Sequence, residues 1–285
     1  MDKKYKVLSK ISEGKFGEVY NGIFERNQEK VAIKMEFLDT PLKTLSQEGK
    51  ILNYLSCKGS YYTPNVYWFG KYGNRQALVL PLYEYTFDKW YEQNPELSKI
   101  KLPKMMAKMV NILQTVHNAG VIHRDIKPQN FMIRNDTPYL IDFGIATIYI
   151  DEHGKHLPQK GVDTHILGTP KFVSMHVHVG IDGIRRDDLL SLCYVYTYIT
   201  NNCHIFWDSV QEDTHNSNTY DIGHILHPNN QQILTKKNRF HNTSHELTQI
   251  DSLYEYLYNL NYSDTPHYQM IQETFLTISS NKLGL

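Results

Sequence analysis

The stretch Val121-Ile122-His123-Arg124-Asp125-Ile126-Lys127-Pro128-Gln129-Asn130-Phe131 decides the fold. It sets a carboxylate that can accept a proton (Asp125) beside a cation that can neutralise phosphoryl charge (Lys127) and an amide oxygen suited to a hard divalent ion (Asn130). Phosphoryl transfer asks for little covalent chemistry and much positioning and charge neutralisation, and these are its parts. Downstream, Leu140-Ile141-Asp142-Phe143-Gly144 ends an apolar run on Asp142, a further oxygen ligand for magnesium. Any one of these carboxylates alone reads equally well as a cap or turn residue.

Working outward, Ile11-Ser12-Glu13-Gly14-Lys15-Phe16-Gly17-Glu18-Val19-Tyr20 places glycines between two strand-like runs, where bare backbone can approach phosphate oxygens and Val19 can cover an adenine. By itself the pair reads as a hairpin turn. The next strand, Val31-Ala32-Ile33-Lys34, carries a lysine able to reach the α- and β-phosphates, and Glu48 on the following predicted helix can fix that ammonium. Separately these two would be a surface lysine and a solvated glutamate. The ordered set, each member in the strand or loop its mechanism needs, is not a chance arrangement.

From about Tyr5 to Leu192 the chain resembles the protein kinase superfamily, and three further segments are similar to the casein kinase 1 family. These are Gly168-Thr169-Pro170-Lys171-Phe172-Val173-Ser174, Ile184-Arg185-Arg186-Asp187-Asp188-Leu189-Leu190-Ser191-Leu192, and Ser263-Asp264-Thr265-Pro266-His267-Tyr268. The resemblance implies an α+β, bilobal fold: one kinase domain over 1–285, with a β-rich N-lobe (1–81) holding one main helix and a mainly helical C-lobe (82–285). It implies transfer of the ATP γ-phosphate to Ser/Thr hydroxyls, with Mg²⁺, and activity without activation-loop phosphorylation, although Thr147, Thr164 and Thr169 lie in that segment. Catalytic roles fall to Asp125, Lys127, Lys34, Glu48 and Thr169. Asn130 and Asp142 take the metal. The nucleotide is expected at Ile11, Gly14, Phe16, Gly17, Val19, Ala32, Lys34, Leu80, Pro81, Tyr83, Met132 and Ile141. Thr169 is expected to bond near Asp125 and Lys127, and Asp188 to brace the catalytic-loop backbone through partners that a buried carboxylate must have. Lys127 points to serine and threonine acceptors, since tyrosine kinases carry a different loop there.

The departures are local. Ser12 replaces the first glycine of the phosphate loop. Pro81 opens the hinge in place of an acidic residue but keeps the carbonyl that adenine would use. Lys171 stands where the family has an arginine for anionic substrates, and a lysine loses the bidentate fork, so preference for primed substrates should weaken.

Thirty basic and thirty acidic side chains cancel, leaving no global field for nucleic acid or an anionic membrane. Three cysteines make no disulfide framework and no zinc pair. No signal peptide or membrane-spanning run is evident, so an intracellular, cytoplasmic or nuclear protein is expected, a monomer acting on protein substrates. The richness in Asn, Ile, Lys and Tyr suggests an A·T-rich genome, viral or protist.

Periodicity predicts strands at 5–11, 18–24, 31–37, 66–69 and 76–80 and helices at 42–55, 102–118 and 187–198, with Pro103 starting the second helix. Residues 201–252, rich in Asn, His, Ser and Thr, read as looped insertions. His176 and His178 could chelate from one strand face, but no Cys or carboxylate completes a set, and His153 and His156 share a loop. The alternatives to an active protein kinase are a pseudokinase serving as a binding or scaffold module, against which the intact Lys34, Asp125, Asn130 and Asp142 argue, and a small-molecule or lipid kinase.

Overall fold

The computed structural model describes residues 4–14, 17–39, 43–93, 95–208, 223–243 and 249–278. The chain divides into two compact units, Met1–Tyr85 with Met132–Ala146, and Thr86–Phe131 with Thr147–Leu285.

The first unit is built on strands β1 (Tyr5–Gly14), β2 (Gly17–Phe24), β3 (Glu29–Phe37), β4 (Trp68–Tyr72) and β5 (Arg75–Pro81), in sheet order β1-β2-β3-β5-β4, with helix α1 (Thr44–Cys57) inserted after β3. Alternation in β3 sends Val31, Ile33 and Met35 into a core with Tyr5, Ala77 and Val79. The opposite face is set by register: Lys34 pairs with Val19 on one side and Leu78 on the other, and Ala32 with Leu80. Gly17 has φ 151°, and a side chain there would run into the Met35 carbonyl of β3, so only glycine lets the loop fold back this closely. Helix α1 buries Leu45, Ile51, Leu52 and Leu55, and Glu48 with them. Its start is held by Glu36 of β3, whose Oε1 accepts from the Thr44 N–H (3.2 Å) and hydroxyl (2.9 Å).

Beyond the short strand β6 (Tyr85–Thr86), the second unit contains α2 (Phe87–Gln93), α3 (Pro95–Asn118) and β7 (Val121–Ile122). The chain then contributes β8 (Phe131–Arg134) and β9 (Thr137–Leu140), the latter leading to Asp142 in the first unit. In the second unit follow β10 (Thr147–Ile148), paired antiparallel with β7, and α4 (Met175–His178), α5 (Arg185–Thr200), α6 (Pro228–Thr243), α7 (Gln249–Tyr258) and α8 (Tyr268–Ile278). Helix α5 is buried on nearly every face, as befits the centre of a helical unit. Helix α3 packs mainly on α8.

Three expectations are corrected. The long helix begins at Pro95 rather than at Pro103, which lies buried inside it. Pro95 takes the first helical position, where a missing N–H costs nothing, and tight packing around Leu102, Pro103, Met105 and Met106 offsets the bond lost at Pro103. The stretch read as loops contains the 16-residue helix α6, although 209–222 and 244–248 lie outside the described residues. His176 and His178 sit on helix α4, not on a strand: His176 stacks on Tyr258 (centroids 4.6 Å) and lies 3.4 Å from Asp187 Oδ1, while His178 is buried.

Candidate active site

Each unit presents its own cluster. In the first, the Lys34 ammonium lies 2.7 and 2.9 Å from the two Glu48 oxygens, an ion pair whose glutamate is almost fully buried. Asp142 Oδ1 is 3.5 Å from the same nitrogen. Burial works against the Lys34 charge, but the carboxylates of Asp142 and Glu48 outweigh it and carry its pKa above the ordinary lysine range. Asp142 has φ 68°, a left-handed conformation that redirects the chain after β9, and the Phe143 N–H bonds back to Glu48. Gly144 packs against Thr44 at the start of α1. Thus β3, α1 and the 142–144 turn are tied to one another through charged groups.

The residues expected at the nucleotide belong to the first unit. Val19, Ala32, Lys34 and Leu80 share one sheet face. Ile11 is exposed on β1, Pro81 ends β5, and the Tyr83 ring lies 4.9 Å from that of Tyr139, with burial raising its phenol pKa. Met132 and Ile141 are half-buried on β8 and just after β9. Gly14 ends β1 opposite Gly17. Phe16 lies outside the described residues.

In the second unit Asp125 is the hub. Its Oδ2 accepts from the Lys127 ammonium (2.6 Å) and from Asn130 Nδ2 (3.0 Å), and its Oδ1 accepts from the Thr169 hydroxyl (2.7 Å). The Thr169 oxygen in turn accepts from Lys127 (3.1 Å), closing a ring of three side chains to which Asn130 is joined through Asp125. Asn130 Nδ2 also donates to the Asp125 carbonyl (2.8 Å), which leaves its Oδ1 as the oxygen it can offer a cation. Thr169 is delivered by Gly168, whose φ of 114° and contact with the Arg124 carbonyl admit no side chain.

The loop carrying Asp125 is braced from α5. Asp188 accepts from the N–H groups of His123 (2.8 Å) and Arg124 (2.9 Å), the latter at φ 69°, and from His117 Nε2 (3.0 Å). Burial opposes this carboxylate, but the bonds from His117 and His123 outweigh it and depress its pKa. His117 Nδ1 meets the Tyr268 hydroxyl at 2.8 Å. Nearby, Arg185 donates to the Ser263 carbonyl (2.6 Å) and Thr265 (3.2 Å), and Arg186 to the Leu260 carbonyl. The 185–188 and 260–268 segments, far apart in sequence, are therefore one hydrogen-bonded knot beneath the loop that carries Asp125.

Lys171 Nζ rests 4.5 Å from the Tyr198 ring centroid and 5.7 Å from that of Phe172. Among the described residues no group of three or more His, Cys, Asp and Glu side chains gathers as metal ligands. The oxygen donors of Asn130 and Asp142 are of the hard type that magnesium takes. Sequence reasoning missed Glu36, His117 and Lys237, polar residues buried by contacts that no local pattern announces.

The family model described as a protein kinase domain matches residues 5–274. The chain belongs to the protein kinase family. Its β-rich first unit and helical second unit are the α+β kinase fold, and membership carries phosphotransferase chemistry with ATP as donor and protein as acceptor. In this kinase no described helix is long and apolar enough to cross a membrane.

Proposed function

We propose that this kinase is catalytically active, transfers the ATP γ-phosphate to serine and threonine hydroxyls, and is of the casein kinase 1 type. The observation that carries this reading is the closed ring of Asp125, Lys127 and Thr169, with Asn130 bonded to the same Asp125 carboxylate. Asp125 takes the proton of the acceptor hydroxyl, and Lys127 neutralises charge on the group in transfer. Thr169 keeps the Asp125 carboxylate aimed. Lys34, steadied by Glu48, takes the nucleotide phosphates. Asn130 and Asp142 would each offer an oxygen to magnesium, which would supply charge neutralisation for the phosphates. Ile11, Gly14, Phe16, Gly17, Val19, Ala32, Leu80, Pro81, Tyr83, Met132 and Ile141 bind the nucleotide, in a chain whose N-lobe is 1–81 and whose C-lobe is 82–285. Lys171, an ammonium over aromatic rings, makes a weaker anion site than an arginine fork, so primed substrates gain little.

The test is the protein made in bacteria, untreated by any other kinase, incubated with labelled ATP, Mg²⁺ and casein. The reading expects phosphoserine and phosphothreonine on acid hydrolysis. Phosphotyrosine alone would overturn the acceptor class, and no transfer at all would return the chain to a binding or scaffold role.

A further inference from the structure

Helix α6 places a lysine in the interior of the second unit. Lys237 is wholly buried, with its Nζ donating to the carbonyls of Val173 (2.6 Å) and Pro170 (3.0 Å) and lying 3.1 Å from His178 Nε2. The amine sits 4.8 Å from the Tyr194 ring centroid and 5.5 Å from that of Trp207. Trp207 Nε1 donates to the Lys171 carbonyl (2.9 Å). Three carbonyls of the segment just past Thr169 are thus held from outside it.

That segment has little hydrogen bonding of its own. The N–H groups of Phe172 and Val173 both return to the Thr169 carbonyl (2.8 and 3.0 Å), and Pro170 has no N–H to give. Without Lys237 the Pro170 and Val173 carbonyls would be buried with fewer donors, and the loop would be free to relax. A buried amine is itself expensive, and burial drives the Lys237 pKa well down. No ion pair with a carboxylate offsets that cost among the described residues. An apolar side chain would fill the pocket between Tyr194 and Trp207 at less expense. What lysine adds is donors aimed at the loop.

We propose that Lys237 is a positioning residue that holds the Pro170 and Val173 carbonyls so that the Thr169 hydroxyl stays on Asp125. The inference rests on the proposed roles of Asp125 and Thr169. It assigns to a lysine of α6 the task of keeping the acceptor loop in its active shape.

The experiment compares wild type, K237M, T169A and the K237M/T169A double variant by thermal melting, amide hydrogen exchange, and kinetics with ATP and a serine peptide. Methionine keeps the stem's packing and removes the donors, and loss of the buried amine offsets the lost bonds, so the melting temperature should move little. Exchange at Phe172 and Val173 should quicken about 10-fold or more. Peptide turnover should fall roughly 10-fold with the ATP KM nearly unchanged, and the double variant should be no slower than T169A. Unchanged exchange at Phe172 and Val173, or losses that multiply in the double variant, would overturn the inference. A wild type without transfer would sink the proposed function and the catalytic consequence together, while exchange alone still decides whether Lys237 holds the loop. Should K237M not fold, W207F removes the adjacent bond to the Lys171 carbonyl, and an acceptor loop whose exchange W207F leaves unchanged counts against the arrangement.

Discussion

Replacing Asp188 should expose how much of the catalytic loop's shape depends on one carboxylate. In Asp188→Ala the N–H groups of His123 and Arg124 and the ring of His117 lose their acceptor inside a buried pocket. Each orphaned backbone donor costs about 1–3 kcal/mol, so the two together cost about 4 kcal/mol. For a domain of this size that is a fall in melting temperature of roughly 10 °C. Asp188→Asn keeps one oxygen and should lose about half as much. The effect has a pH signature. The Asp188 pKa is depressed in the folded state, so its contribution is fully present above the unfolded carboxylate value near 4 and is lost as pH falls through the folded value. The gap between wild type and Asp188→Asn should therefore be widest above about pH 5 and narrow as pH drops below about 4. Urea melts at pH 7, 5 and 3 measure it. A gap of equal size at pH 7 and pH 3, or none at pH 7, would refute the bracing role.

Two other changes probe the clusters separately. Glu48→Gln leaves the Lys34 ammonium without its bidentate partner, and a displacement of about 1 Å at such a group costs on the order of 10²-fold, so kcat/KM for ATP should fall by that factor. An unchanged value would mean that the pair is structural only. Gly168→Ala forces a side chain onto the Arg124 carbonyl at φ 114°, which should destabilise the protein by about 1–3 kcal/mol in urea titration and detach Thr169 from Asp125. A variant as stable and active as wild type would show that the loop tolerates other paths.

The two side-chain clusters were readable because their signals are local. His123 to Asn130 lie in one loop, and Lys34 and Glu48 sit at a strand and a helix whose periods are plain in the sequence, so their pairing follows from element type. Asp188 was readable as a brace of the loop backbone, but its partner His117 was not, since that residue lies at the end of a helix where nothing distinguishes it from a surface histidine. Lys237 was hidden further. Its contacts join residues some sixty positions apart, and among the described side chains its helix buries Asn230 and Lys237, so the segment reads as a polar loop. Pro103 misled for the opposite reason: a strong local rule about where proline starts helices was overridden by core packing and satisfied instead at Pro95.

The central claim is that Asp125, held by Lys127, Asn130 and Thr169, is the base for transfer to a hydroxyl. Its most direct measurement is γ-phosphate transfer to a serine peptide by wild type and Asp125→Asn, with nucleotide affinity and melting temperature measured on the same samples. The account predicts transfer by wild type, a loss of at least ~10²-fold in kcat for Asp125→Asn, and nucleotide binding within about twofold. Equal transfer by the two proteins would contradict it.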